Sequence, residues 1–140
     1  MRRSIRTAVC TLAAAGLAFG LTACSEAADK AVDQVDKAVT DTYEVTYEVT
    51  GKNVDSIEYH AGGGTAMEPK IETVRKPTLP WKKTVTLKGI MPPAVMPVAV
   101  DAAGAEVTCR ITYQGKAIKE AKGEGIATTG GCIAVSPLAG

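Results

Sequence analysis

The side chains best suited to covalent, redox or metal chemistry are four cysteines and one histidine. The cysteines are Cys10, Cys24, Cys109 and Cys132, and the histidine is His60. A thiol can carry a lipid, pair in a disulfide or bind a metal, whereas a lone imidazole needs an adjacent nucleophile or acid to catalyse a reaction. The segments around these residues decide between the roles.

Cys24 closes a segment with the features of a bacterial lipoprotein signal. Three arginines, at positions 2, 3 and 6, precede an uncharged run (7–23), and the sequence LTAC ends at Cys24. This order resembles a lipobox, in which a large aliphatic residue and two small ones precede the cysteine whose thiol takes a diacylglyceryl chain. We predict a signal peptide over residues 1–23, cleavage between Ala23 and Cys24, and lipidation of Cys24. An uncleaved anchor is the alternative, although the most apolar part is short for a membrane span.

Cleavage at this position would leave the mature protein lipid-anchored at the extracytoplasmic face of the cell membrane. It would remove three arginines and no acidic residue, so the formal net charge would change from +1 to −2. Neither charge is typical of a protein that binds nucleic acid, which needs a basic face. The expected partner is therefore the membrane, and no nucleic-acid partner is expected.

Cys109 and Cys132 are the cysteines that remain once Cys10 has left with the signal and Cys24 carries lipid. Two such cysteines in an oxidising compartment are expected to form a disulfide. The alternative is a metal or redox site, but the spacing is not C-x-x-C and His60 is the only histidine. We predict a Cys109–Cys132 disulfide and no cofactor.

Residues 24–42 are predicted to be the lipidated N-terminus and a stalk. The tetrapeptide DKAV begins at Asp29 and again at Asp36, and alanine and valine recur between the charged residues at helical spacing. The expected stalk is short and either helical or disordered. A helix for self-association is the alternative, although a coiled coil needs about three or four heptads.

From Tyr43 onward the apolar period changes from 3.6 to 2, which predicts strands. The segment YEVTYEVTG (43–51) is one such strand, and further short alternating runs follow between glycine, proline and asparagine turns. Runs at these intervals predict that residues 43–140 form an all-β, immunoglobulin-like sandwich of about seven strands. Trp81 and the tyrosines at 43, 47 and 59 are expected in or beside its core.

Several segments of this region carry a family resemblance when they are taken in order. They are VTYEVTG, IEY before a glycine-rich tip, LPW followed by TVTL, VTCRITYQGK, and a last cysteine near the C-terminus. Over roughly residues 43–136 they resemble the MmpS family of actinobacterial small membrane proteins. The resemblance implies an extracytoplasmic β-sandwich that partners MmpL transporters of the RND superfamily in the export of lipids or siderophores. Typical members look anchored by a hydrophobic helix, whereas this chain has a lipobox.

A proline-rich apolar run, GIMPPAVMP (89–97), is a candidate contact surface. Its residues Met91, Pro92, Pro93 and Met96 suit an edge strand or loop that a partner could cover. Thioethers can also hold Cu(I), but the run contains neither histidine nor cysteine, so no metal site is predicted. The glutamates of residues 44–72 and the lysines of residues 82–122 are expected to form a solvated surface.

These expectations predict a non-enzymatic lipoprotein that serves as an accessory or adaptor of a membrane transporter of the RND/MmpL type. The alternative is a cell-envelope lipoprotein that binds a small ligand, a lipid or a metal. No catalytic residues are predicted, because neither G-x-S-x-G nor H-E-x-x-H occurs and His60 has no nucleophile close by in sequence.

Overall fold

The computed structural model describes residues 20–101, 103–124 and 131–139, with side chains from Lys30 onward apart from that of Glu124. Most of the predicted signal peptide lies outside the described residues. One helix and eight strands follow one another: α1 (Gly20–Thr40), β1 (Thr42–Lys52), β2 (Ser56–Gly64), β3 (Pro69–Arg75), β4 (Trp81–Lys88), β5 (Ala94–Val98), β6 (Glu106–Tyr113), β7 (Lys116–Glu124) and β8 (Cys132–Ile133).

The predicted stalk is helical, because α1 continues to Thr40. The amide of Asp41 donates to the carbonyl oxygen of Lys37 at 2.9 Å, which closes the last turn before β1 begins. The valines at 32, 35 and 39 are all exposed on α1. Within the described residues, no helix combines the length and the apolar character that a membrane crossing requires.

The eight strands form two antiparallel sheets of four strands each. Sheet A has the order β4-β1-β6-β7, and sheet B has the order β3-β2-β5-β8. The domain is therefore an all-β sandwich, as predicted. The eight strands of the described residues agree with the expected seven or so, and the last of them, β8, is two residues long and pairs with β5 at Ala94 and Val95.

The core lies between the sheets and follows the period of two in the sequence. Along β1, Tyr43, Val45, Tyr47 and Val49 are buried, while the residues between them point away from the core. Ile57 of sheet B is fully buried opposite them. Burying a large apolar side chain of this kind contributes roughly 1.5–3 kcal/mol, so the alternation fixes which face of β1 packs inward.

The chain crosses from sheet A to sheet B through residues 89–93. Gly89 begins this crossing with a φ of 61°, which favours glycine. Its amide donates to the carbonyl oxygen of Asp41 at 2.7 Å, and a Cβ on Gly89 would lie 2.4 Å from the carbonyl oxygen of Val39. The last residues of α1 therefore pack against the end of β4. We call this end of the sandwich, where α1 joins β1, the helix-linked end.

Candidate functional site

The crossing segment 89–93 is held by polar side chains from three parts of the chain. Tyr43 of β1 donates its hydroxyl hydrogen to the carbonyl oxygen of Met91. The ring of His60, on β2, bonds the carbonyl oxygen of Pro92 through Nδ1 at 2.8 Å, so the proton of this bond must sit on Nδ1. The hydroxyl of Ser136 donates to the carbonyl oxygen of Gly89 at 2.9 Å. Hydrogen bonds from three side chains therefore fix the backbone of the crossing to the sandwich.

Tyr47 extends this set of bonds into the centre of the sandwich. Its hydroxyl donates to the carbonyl oxygen of His60 at 3.0 Å and accepts a bond from the amide of Ala94 at 3.3 Å. One phenol on sheet A therefore satisfies two backbone groups of sheet B. Such buried backbone groups are costly to leave without partners, which explains a tyrosine at a fully buried position.

The contact surface predicted for Met91, Pro92, Pro93 and Met96 is not available as one surface. Met91 and Pro93 are fully buried, whereas Pro92 and Met96 are partly exposed. A buried side chain cannot contact a partner while the domain stays folded, so Met91 and Pro93 act in the core. The backbone of the crossing is bound by Tyr43 and Ser136. Its side chains alternate: Met91 and Pro93 pack into the core, while Ile90 stays exposed.

Glu72, on β3, forms a second polar cluster with Tyr59 and Lys70. The hydroxyl of Tyr59 donates to Oε2 of Glu72 at 2.7 Å, and the Lys70 ammonium lies 3.1 Å from Oε1 of the same carboxylate. The Tyr59 hydrogen bond and then Lys70 lower the pKa of Glu72 from its ordinary value. Burial, and then Glu72, raise the pKa of Tyr59 to about 12. The cluster has an ionised carboxylate but no nucleophile.

Burial also raises the pKa values of the other two core tyrosines, Tyr43 and Tyr47, above the ordinary value of a phenol. All three phenols therefore stay neutral at physiological pH and act as hydrogen-bond donors. A catalytic tyrosine would need the opposite shift or access to a substrate. These side chains are placed to hold the fold together.

The only histidine, His60, has no catalytic partner among the described residues. Its Nδ1 is engaged by Pro92, and its exposure is intermediate. In the same part of the chain, no group of histidine, cysteine, aspartate and glutamate could hold a metal ion. The described side chains likewise include no buried polar atom without a hydrogen-bond partner.

The structure brings Cys109 and Cys132 together. Cys109 lies on β6 of sheet A and Cys132 on β8 of sheet B, and their sulfur atoms are 2.12 Å apart. Both residues are buried. The disulfide joins the two sheets and holds the short last strand. Ala23 and Cys24, the predicted cleavage and lipidation residues, lie in the backbone of α1.

Trp81 packs against the core from the start of β4. Its ring centroid lies 5.2 Å from that of Tyr59, at an interplanar angle of 51°. The side chain is partly buried, so it covers the edge of the core beside Tyr59. The expectation of a core or near-core tryptophan agrees with this position.

The outer face of sheet A carries a row of alternating charges across its four strands. In register, the row runs through Lys82, Glu48, Arg110 and Glu120. Arg110 and Glu120 pair at 2.9 Å, and Lys82 lies 3.9 Å from Glu48. Each positive charge has a negative neighbour, so the row gives no single-sign surface for docking, and exposed pairs contribute little to stability. This agrees with the expected solvated surface.

Sequence reasoning missed a shallow cleft at the helix-linked end. It has a volume of about 120 Å³ and is lined by Val39, Gly64, Thr65, Ala66, Lys88 and Ile90. These residues come from α1, from the turn between β2 and β3, and from the end of β4. None of them stands out in the sequence, and only the fold brings them together.

The fold and the site define a class of small, disulfide-linked all-β sandwich domains in which buried polar side chains bond the backbone of the facing sheet. Within that class, the chain belongs to the Mycobacterium membrane protein family, the MmpS type, whose model matches residues 7–136. The resemblance read from the segments of residues 43–136 is therefore confirmed. No individual curated protein matches the chain significantly. Membership supports a role at the membrane.

Proposed function

We propose that the protein is a non-enzymatic lipoprotein of the cell envelope that serves as an accessory or adaptor of an RND/MmpL-type transporter. The observation that carries the proposal is the family match over residues 7–136. A lipid on Cys24 would confine the domain to the plane of the membrane. Confinement raises the effective concentration near a membrane partner, so weak contacts would be enough for docking.

The anchor is argued from the N-terminal residues. Arginines at 2, 3 and 6, the uncharged run 7–23 and the sequence LTAC occur in the order that a lipoprotein signal requires. Diacylglyceryl attachment adds roughly 0.8 kcal/mol of membrane affinity for each buried CH₂, so two acyl chains would hold the protein firmly. The same run would place the domain at the extracytoplasmic face.

The adaptor role is favoured over the binding of a small ligand by the packing between the sheets. Tyr47 and Ile57 are fully buried there, and Tyr43 and Tyr59 are nearly so. The described cavities lie at the ends of the sandwich: the cleft at the helix-linked end and a groove lined by Gly51, Glu106, Val107, Thr108, Lys122 and Gly123. Side chains therefore fill the space between the sheets where the structure describes it, and this packing suits a domain that works through its surface.

Lipidation can be tested with a matched pair of cysteine variants. Cys24→Ser should leave the chain uncleaved and without lipid, whereas Cys10→Ser should behave as the wild type, because Cys10 leaves with the signal. Intact-mass measurement of protein extracted from membranes would give the mass of residues 24–140 plus acyl chains. The mass of the full chain without lipid, in wild type and variant alike, would rule out the lipid anchor.

The partner can be tested by cross-linking the wild type and Cys24→Ser in the native membrane before solubilisation. We expect an RND-type transporter to co-purify with the wild type and to be depleted with the unanchored variant. Native mass analysis of the same sample would show whether a lipid or a metal is bound to the protein. Protein that purifies without a transporter but with stoichiometric lipid or metal would support the ligand-binding role instead.

A further inference from the structure

Exposed apolar side chains are distributed unevenly over the two ends of the sandwich. At the helix-linked end, Met67 is 91% exposed, Val135 77%, Val39 49% and Ile90 47%. Among the side chains that the structure describes, Val100 is the only large exposed apolar one at the opposite end. Val39 and Ile90 line one cleft, and Met67 follows Ala66 of that cleft, so they form an apolar cluster at one end of the domain. Such a cluster marks a contact with another apolar phase.

The four side chains come from separate parts of the chain that converge on this end. Met67 lies in the turn between β2 and β3, where Thr65 and Glu68 form a tight turn: the amide of Thr65 donates to the carbonyl oxygen of Glu68 at 3.0 Å. Ile90 follows Gly89, which is bonded to Asp41. Val135 precedes Ser136, which is bonded to Gly89. Hydrogen bonds, one within the turn and two between distant parts of the chain, therefore fix the segments that carry these exposed side chains.

The geometry points to the lipid bilayer as the occupant of this cluster: we propose that the helix-linked end contacts the membrane surface, with Met67 inserted past the headgroups to the outer part of the acyl chains. The inference rests on the membrane anchoring proposed above. The chain that leaves this end is the one that carries the apolar run 7–23, which lies largely outside the described residues. The family match includes that run, so the segment expected to lead to the membrane joins the sandwich at the helix-linked end.

The charged residues around the cluster also suit a bilayer surface. Lys88 lines the cleft beside Ile90, and the aliphatic stem of Lys70 lies next to Gly63 in the turn. Lysines at a membrane interface bury the stem and keep the ammonium at the headgroups. The ammonium of Lys70 already lies 3.1 Å from the Glu72 carboxylate, and Glu68 adds a negative charge to the same turn. Contact should therefore depend mainly on apolar insertion and only weakly on anionic lipid.

The tether permits the contact if α1 lies along the membrane. Between Cys24 and Thr40 the helix is about 24 Å long at 1.5 Å per residue. Its exposed valines at 32, 35 and 39 give it an apolar side that can rest on lipid. If α1 stood perpendicular to the membrane plane, it would hold Met67 far from the acyl chains. Insertion of Met67 would therefore also show that α1 lies along the membrane.

Quenching by brominated lipid tests the proposal in the full anchored chain. The background variant Trp81→Phe removes the native tryptophan. In this background, Met67→Trp places a single tryptophan at the helix-linked end, and Val100→Trp places a single tryptophan at the opposite end. Both positions are exposed and apolar, which makes Val100→Trp the matched control. In vesicles of phosphatidylcholine brominated along the acyl chain, we expect at least a twofold loss of emission for Met67→Trp and little loss for Val100→Trp. Ile90→Trp should be quenched to an intermediate extent.

Three other results would contradict the proposal, and each has its own meaning. Equal quenching at the two ends would mean that membrane contact is not specific to the helix-linked end. A blue shift of Met67→Trp emission in native membranes, without quenching in brominated vesicles, would mean that protein covers the site. A chain that remains on the vesicles with Met67→Trp unquenched refutes this inference alone, whereas a chain that leaves the vesicles refutes the proposed anchoring as well.

Discussion

The hydroxyl of Tyr47 donates a hydrogen bond to the carbonyl oxygen of His60 at 3.0 Å, and this bond joins the inner faces of the two sheets. The phenol oxygen also accepts from the amide of Ala94 at 3.3 Å. A single side chain of β1 thereby fixes the position of β2 and the start of β5. The sandwich is consequently specified by directional bonds as well as by apolar packing, which alone would allow the sheets to slide.

Removing that hydroxyl should destabilise the domain without changing its shape. Tyr47→Phe leaves the His60 carbonyl and the Ala94 amide without their partner in the core, so the free energy of unfolding should fall by about 1–3 kcal/mol. Urea unfolding followed by circular dichroism measures the change. Tyr113→Phe is the control. The Tyr113 hydroxyl accepts a hydrogen bond from the exposed side-chain amide of Gln114, so its removal should lower the free energy of unfolding by less than about 0.5 kcal/mol. Equal losses in the two variants would contradict a special role for Tyr47.

The disulfide should contribute substantially because little else holds β8. This strand is paired only with Ala94 and Val95, while Cys132 links it to Cys109 across the core. Closing a loop of this length stabilises by roughly 3 kcal/mol, so Cys109→Ser with Cys132→Ser, or reduction, should lower the melting temperature by several degrees. Thiol titration of the native protein provides the check: two reactive thiols at these positions would mean that the bond does not form.

The raised pKa of Tyr59 predicts a loss of stability at alkaline pH. Burial, and next Glu72, raise the pKa of Tyr59 from 10.0 to about 12 in the folded state. The unfolded chain releases this proton first, so the stabilisation is complete below about pH 10 and is lost as the pH rises through about 12. The difference in unfolding free energy between wild type and Tyr59→Phe should therefore narrow over this interval. Parallel stability curves from pH 8 to pH 12 would refute the shift.

The sequence was sufficient for the features that depend on local pattern. The alternation of Tyr43, Val45, Tyr47 and Val49 predicted a strand with one buried face, because side chains alternate across a strand whatever it packs against. The ordered segments of residues 43–136 predicted the family, which the match over residues 7–136 confirms.

The run from Met91 to Met96 shows where local pattern stops being informative. A contact surface and a buried crossing can both be rich in apolar residues and prolines. Composition alone therefore could not place Met91 and Pro93 in the core. The deciding bonds come from Tyr43 and Ser136, which are 48 and 47 residues away from their partners. The cluster at the helix-linked end was missed for the same reason, since exposure there depends on how distant turns converge.

The junction between α1 and the sandwich gives a prediction that separates backbone strain from a steric clash. Gly89 and Gly115 both have positive φ values, 61° and 78°. A Cβ at Gly115 would meet no atom within 4 Å, whereas one at Gly89 would lie 2.4 Å from the carbonyl oxygen of Val39. Gly115→Ala should therefore cost only the left-handed conformation, about 1 kcal/mol.

Gly89→Ala carries that same cost and must also push the end of α1 away from β4. Relief of the clash would break the bond from the Gly89 amide to Asp41, so the total should exceed that of Gly115→Ala by about 1–3 kcal/mol. Urea unfolding of both variants gives the two values, and hydrogen exchange of the backbone amide at position 89, in wild type and variant, shows whether its bond has opened. Equal destabilisation, with this amide still protected in Gly89→Ala, would mean that α1 is not fixed to the sandwich at this point.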